Sequence, residues 1–313
     1  MKVGFIFPGQ GSQAVGMGKD LFEKYDSAKK VFETADNALG YKISEICFNG
    51  PEEVLKETKN TQPAILTTSL ACLEALKSEC DITPCATAGH SLGEYGALYT
   101  SNVLSMEDAI KITGKRAELM NEAANETKGS MAAVIALSEE AINEGLKELQ
   151  QEGKISVANY NCPGQTVITG EKHLIEKAVT LLKEKGAKRV IELAVSGAFH
   201  SELMKGAADK FAQYVKDFDF ANGTIPVYEN TDAKAVTDGN DLKERVSKQI
   251  YSPVHWTETI QNMVNDGVEV FIEIGCGKVL AGLNKKINAE IKTYNVYDIM
   301  SLEETIAALK ESN

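Results

Sequence analysis

Thr83-Pro84-Cys85-Ala86-Thr87-Ala88-Gly89-His90-Ser91-Leu92-Gly93-Glu94-Tyr95-Gly96-Ala97-Leu98-Tyr99 is the stretch that decides how this chain folds. Residues 83–88 are small and mostly apolar, which predicts a short buried strand, and residues 93–99 can open a helix. Between them Gly89-His90-Ser91-Leu92-Gly93 fits Gly-x-Ser-x-Gly, the pattern that lifts a serine hydroxyl out at the end of a sheet. The glycines remove Cβ atoms where the backbone must bend tightly. The start of the helix leaves N–H groups unpaired near the point where negative charge would develop. The plain alternative is a glycine-rich loop with a surface serine. The flanking strand and helix favour a nucleophile.

A serine needs a base, and the chain has four histidines. His90 lies inside the turn, where it packs or lines the site. His173 follows Glu171-Lys172 at the start of an amphipathic helix and reads as solvated. His255 precedes Trp256 at a helix start, as a packed or a capping residue. His200 falls in Ser196-Gly197-Ala198-Phe199-His200-Ser201, a loop between a predicted strand over 190–195 and a predicted helix over 203–215. The C-terminal end of a strand is where open α/β sheets place their chemistry, so His200 is the favoured base. A histidine capping the next helix is the structural alternative.

Outward from the turn, residues 2–7 and 268–274 read as further strands of the same sheet. The middle of the chain follows another order. Residues 131–137 read as a strand, Ser138-Glu139-Glu140 opens a helix, residues 155–159 and 166–169 are strands, a second helix follows, and 190–195 returns as a strand. Strand, helix, strand, strand, helix, strand is a ferredoxin-like unit. The predicted architecture is therefore α/β: a large α/β-hydrolase-like domain with a mostly parallel sheet (1–125 and 196–313), carrying an inserted ferredoxin-like small domain (126–195). Asn159-Tyr160-Asn161 either lines the small-domain wall of a gorge between the two or serves the turn Asn161-Cys162-Pro163-Gly164, the turn being favoured. Gly275-Cys276-Gly277 lacks the further glycine and acidic residue of a dinucleotide-binding fingerprint.

Six motifs occur in order: Phe7-Pro8-Gly9-Gln10-Gly11-Ser12-Gln13, Gly89-His90-Ser91-Leu92-Gly93-Glu94-Tyr95, Arg116, Ala198-Phe199-His200, Gln249, and Ser252-Pro253-Val254-His255-Trp256. Together they resemble the malonyl-CoA:acyl-carrier-protein transacylases, acyltransferases that load malonyl units in fatty-acid synthesis, over essentially the whole chain. The resemblance implies a Ser91–His200 pair without a third carboxylate, the histidine being oriented by the main-chain carbonyl of Gln249. It implies an oxyanion hole of Gln10 and Leu92 N–H groups, and Arg116 holding the malonyl carboxylate. Phe199 matches the malonyl-selective signature, while Gly197 stands where the longer form of that signature often has histidine. Malonyl-CoA, coenzyme A and acyl carrier protein are the implied partners, with no metal or redox cofactor.

These positions make physical sense. Gln10 sits between two glycines that let its backbone approach a ligand, and the residue after the nucleophile presents its N–H to the carbonyl oxygen. Arg116 lies on a helix capped from Ser105, where the plain reading is a solvated arginine near Glu118 or Glu122. Its planar fork suits a carboxylate bidentately. Two rival classes share parts of this pattern, a serine hydrolase and a non-catalytic acyl-CoA-binding scaffold, and a polyketide-pathway acyltransferase shares nearly all of it.

Composition adds boundaries. A chain of 313 residues, 43% hydrophobic, supports a large core. No run reaches membrane-spanning length and the N-terminus lacks a signal-peptide pattern, so a soluble, cytoplasmic protein is expected, and separately a monomer. Six cysteines without Cys-x-x-Cys spacing read as reduced thiols. A net charge of −12 argues against nucleic acid. An acidic carrier protein then needs a local basic patch, for which Lys183, Lys185, Lys188 and Arg189, with Lys285-Lys286, are the candidates.

Overall fold

The computed structural model describes residues 1–195 and 197–311. Ser196, Ser312 and Asn313, which the sequence reading included in its catalytic loop and large domain, lie outside the described residues.

Two separate sheets form the molecule. The large one runs β10 (Lys292–Val296), β9 (Val270–Ile274), β1 (Val3–Phe7), β2 (Ala86–Gly89), β7 (Val227–Tyr228) and β8 (Ala235–Val236). All neighbours pair parallel except β7 and β8, which form a terminal hairpin. β1 is Val-Gly-Phe-Ile-Phe and buried at every residue, as a central parallel strand covered on both faces must be. The predicted strand over 83–88 begins only at Ala86, because the chain reaches the sheet edge at Cys85, whose N–H donates to Val3 O.

The small sheet has the order β4 (Ile155–Cys162), β5 (Gln165–Glu171), β3 (Gly129–Ile135), β6 (Arg189–Glu192), all antiparallel. Helices Glu139–Leu149 and Lys172–Glu184 complete the ferredoxin-like unit. Their apolar faces meet the sheet in a core of their own that includes Ile142, Leu146, Ile168, Leu174 and Leu182. Ser138 caps the first helix, accepting from Ala141 N–H, as its sequence predicts.

Several boundaries differ from those the sequence predicts, and these bear on the site. β6 stops at Glu192, after which the chain bends away and carries Leu193 and Val195 to the cavity described below. Asn161 and Cys162 belong to β4, so Pro163-Gly164 alone make the turn. β6 belongs to the small antiparallel sheet, as the ferredoxin-like order predicts, so the strand ahead of His200 is not one of the parallel sheet.

Two long helices position the site. Thr58–Glu79 is buried on nearly all sides for most of its length, polar Thr61, Gln62, Thr67, Thr68 and Ser69 included. Met106–Thr127 starts at Ser105, which accepts from Asp108 N–H and donates to Asp108 Oδ2, a reciprocal cap. This second helix turns Ala109, Ile112, Thr113, Arg116 and Met120 inward and leaves Lys111 and Lys115 to pair with Glu107 and Glu118 outside. Among the described residues no helix is long and apolar enough to cross a membrane.

Candidate active site

Ser91 stands on a single 3₁₀ turn, Ser91–Gly93, between β2 and the helix Glu94–Thr100. Its φ is +52°, a left-handed conformation that costs a non-glycine residue about 1–3 kcal/mol and is held only by its surroundings. The glycines explain how. A Cβ on Gly89 would fall 2.0 Å from the Gly93 backbone, and one on Gly93 would fall 2.2 Å from Phe7 O. Strand, turn and helix are therefore packed closer than any side chain permits.

His200, also at positive φ (+56°) and 4% exposed, faces Ser91 with Nε2 2.8 Å from Oγ. Its Nδ1 lies 2.9 Å from Gln249 O and 3.1 Å from Ser252 O. Carbonyl oxygens only accept, so Nδ1 carries the hydrogen and Nε2 is left to accept the serine proton. Burial first, and the charge of Arg116 second, hold the imidazole well below its ordinary value, at about 3. It stands as a neutral base.

Arg116 is fully buried. Nη1 donates to Gln62 Oε1 at 2.6 Å, and Nη2 donates to Ser91 Oγ at 3.0 Å and Gln249 Oε1 at 2.8 Å. Burial lowers its pKa, yet an arginine still carries its charge at neutral pH. Glu118 and Glu122, the partners of the plain reading, play no part. No carboxylate bonds the guanidinium directly among the described residues, and Nε is buried without a partner. A buried cation beside a nucleophile and short of a counter-charge suits a substrate that brings one.

The cavity beside them measures about 100 Å³ and is lined by Gln10, Gln62, His90, Ser91, Asn159, Phe199 and His200, with Met120, Met131, Leu193 and Val195. It lies where the two sheets' domains meet. The Gln10 and Leu92 N–H groups donate to no protein acceptor among the described residues. The Ser91 N–H donates to Asn230 Oδ1 at 2.7 Å.

His90 Nε2 lies 2.9 Å from Asn161 Oδ1, and its ring sits 5.6 Å from that of Trp256. Burial lowers its pKa. Asn159 lies on the cavity wall and Asn161 reaches across to the large domain, so neither serves the turn. His173 is exposed, and His255 precedes the helix Trp256–Asn265 without capping it, stacked 5.1 Å from Tyr160.

Four participants were not singled out by sequence reasoning. Gln62 holds Arg116. Asn230 ties Ser91 N–H to Gly89 O through its two side-chain ends. The Gln249 side chain, beyond its carbonyl, bonds Arg116, Ser91 O and Glu94. Glu94, inside the quoted motif, is wholly buried. A carboxylate opening an otherwise apolar helix was the available signal for the last of these.

An acyl transferase domain matches residues 4–305. The chain is 48% identical to the malonyl CoA-acyl carrier protein transacylase of Bacillus subtilis (strain 168), over all of this chain and 98% of that one. The chain belongs to the malonyl CoA-acyl carrier protein transacylase family. The Staphylococcus aureus (strain COL) transacylase of the same name is 47% identical over 94% of this chain and 95% of its own. Among solved structures, the Clostridium perfringens transacylase superposes with a TM-score of 0.94 at 40% identity, covering 100% of this chain and 98% of that one. A malonyl-transacylase in complex with a holo type II polyketide acyl-carrier protein gives 0.95 at 39% identity, covering 98% and 100%. That membership carries the expected two-domain α/β fold with it.

Proposed function

We propose that this transacylase moves the malonyl group from malonyl-CoA to the phosphopantetheine thiol of acyl carrier protein through a malonyl ester on Ser91, supplying chain elongation in fatty-acid synthesis. The observation that carries this reading is the buried Arg116 guanidinium 3.0 Å from Ser91 Oγ, alongside the serine–histidine pair. Neutral His200 takes the Ser91 proton as Oγ attacks the thioester carbon. The Gln10 and Leu92 N–H groups receive the oxyanion. His200 returns the proton to the departing coenzyme A sulfur. The carrier thiol then gives its proton to His200, attacks the ester, and Ser91 leaves with the proton restored.

Arg116 pairs with the malonyl carboxylate in both half-reactions, and a cavity of about 100 Å³ suits a short acyl group. Phe199, His90 and Asn159 shape its walls. The same reading divides the chain at 126–195 and makes the enzyme a cytoplasmic monomer. Intact-mass measurement after mixing with malonyl-CoA tests it. A malonyl-sized gain is expected in the native enzyme and none in Ser91→Ala. No gain in either, or an equal gain in both, removes the malonyl-serine route, and release of free malonate as fast as thiol transfer would make the protein a hydrolase.

The carrier is acidic and so is this enzyme, so attraction must be local. Arg189 pairs with Ile135 and Ile135 with Gln165 across the small sheet, while Lys286 Nζ reaches Gln165 Oε1 at 3.4 Å. Exposed Lys188-Arg189 and Lys285-Lys286 thus gather at one end of that sheet from distant parts of the chain. Lys188→Glu with Arg189→Glu is expected to raise the KM for carrier protein about tenfold, through slower encounter, and to leave Ser91 acylation by malonyl-CoA unchanged. Unaltered carrier kinetics would move the docking surface elsewhere.

A further inference from the structure

Arg116 owes its place beside Ser91 to side chains that neither attack nor bind the thioester. Its Nη2 bond to Gln249 Oε1 depends on which way the Gln249 amide faces. The opposite end of that amide is surrounded by acceptors: Nε2 lies 2.9 Å from Ser91 O, 3.0 Å from Glu94 Oε2 and 3.4 Å from Asn230 Oδ1. Glu94 is fully buried, and its Oε2 also accepts the Asn230 N–H at 3.0 Å, while Oε1 is buried without a partner. A chain of bonds therefore runs from Glu94 through the Gln249 amide to Arg116 and on to Ser91 Oγ.

We propose that Glu94 is a positioning residue that, through the Gln249 amide, fixes the Arg116 guanidinium on the nucleophile and so sets the preference for acyl groups ending in a carboxylate. Oε2 takes both N–H donors, and among the described residues Oε1 has no cation or N–H donor to hold a negative charge there. The charged and titratable groups acting on it agree. Burial and then the Glu229 carboxylate at the end of β7 push Glu94 up to about 8, against the hydrogen bonds from the Gln249 amide and the Asn230 N–H and the still weaker pull of Arg116 from the long helix, and Tyr95 beside it is a neutral phenol. A neutral Glu94 leaves the Arg116 charge for the substrate. An ionised one competes with the substrate carboxylate for it.

This inference rests on the malonyl-transfer reading, and the ratio of malonyl to acetyl loading on Ser91 separates the two. Native enzyme that fails to load malonate ends the transfer reading itself; native enzyme that does load it makes the variants informative. Glu94→Gln keeps an acceptor for both N–H groups and should hold the ratio within about threefold of native at pH 7. Glu94→Ala lets the Gln249 amide turn, and the ratio should fall about tenfold or more while acetyl loading falls less. Should Glu94→Ala fail to fold, Gln249→Met keeps the His200-orienting carbonyl, removes the amide, and should give the same loss. In the native enzyme the ratio should decline as pH rises from 7 to 9, and in Glu94→Gln it should stay flat. Equal losses for both substrates in the alanine and methionine variants, or the same pH decline in Glu94→Gln, would overturn the proposal.

Discussion

His200→Ala is expected to slow acylation of Ser91 about 10²–10⁴-fold, the usual share of a positioned general base. A serine hydroxyl at its ordinary pKa is a poor nucleophile, and His200 Nε2, 2.8 Å away, is the one base in reach of its proton among the described residues. Some rate should survive, because Arg116 still donates to Oγ and the backbone N–H groups remain. Stopped-flow acylation by malonyl-CoA, with circular dichroism to check the fold, measures this. The pH dependence sharpens it. Burial and the Arg116 charge depress the His200 pKa to about 3, so the free enzyme keeps its base neutral far below the ordinary range of a histidine. The kcat/KM for acylation should therefore stay flat from pH 7 down to pH 5, since activity is lost only as pH falls through the depressed value. In the malonyl-CoA complex the substrate carboxylate offsets Arg116 and raises that pKa, so the acid limb of kcat should sit higher than that of kcat/KM. An acid limb of kcat/KM near 6.5 would mean a solvated imidazole and a different origin for the base.

The elbow and the small domain were legible because both are local. Small residues, two glycines and a helix opening specify the Ser91 turn within a dozen positions, and the glycine clashes at Gly89 and Gly93 show the specification to be steric. The ferredoxin-like unit follows from alternating and helical apolar spacing, which its separate core obeys. What was not legible depends on distance along the chain. Leu193 and Val195 alternate like strand residues, so the sequence extends β6 to 195, yet their apolar character serves the cavity wall. The sequence favours His200 from its place at the C-terminal end of a strand. The structure sets its Nε2 2.8 Å from Ser91 Oγ although the strand ahead of it belongs to the small sheet. Gln62, Glu94 and Asn230 look like ordinary polar residues of helices and a strand end. Their burial is created by partners such as Arg116, 54 positions from Gln62, and Ser91, 139 positions from Asn230. No window of sequence contains both halves of such a pair.

Arg116→Ala is expected to reduce malonyl transfer about 30- to several-thousand-fold in specificity constant, the conversion of about 2–5 kcal/mol for stranding one member of a buried charge pair. The guanidinium is fully buried and bonded to Gln62, Gln249 and Ser91, so its loss removes the carboxylate's partner and one hydrogen bond to the nucleophile together. The two losses separate by substrate. Acetyl-CoA brings no carboxylate and forfeits only the bond to Oγ, while it gains from the removal of an unpaired buried cation, so its loading should change little or improve. Arg116→Lys should recover only part of the malonyl loss, because a single ammonium cannot make two parallel bonds or reach Gln62 and Gln249 at once. The same variant tests the electrostatics of the base. Arg116 is the second cause, after burial, of the depressed His200 pKa, so Arg116→Ala should move the acid limb of acetyl loading upward, while burial still keeps it below 6.5. The quantity to measure is the malonyl-to-acetyl ratio of Ser91 loading across pH 4 to 7. Equal falls for both substrates would make Arg116 a structural residue, and an unmoved acid limb would remove its charge from the control of His200.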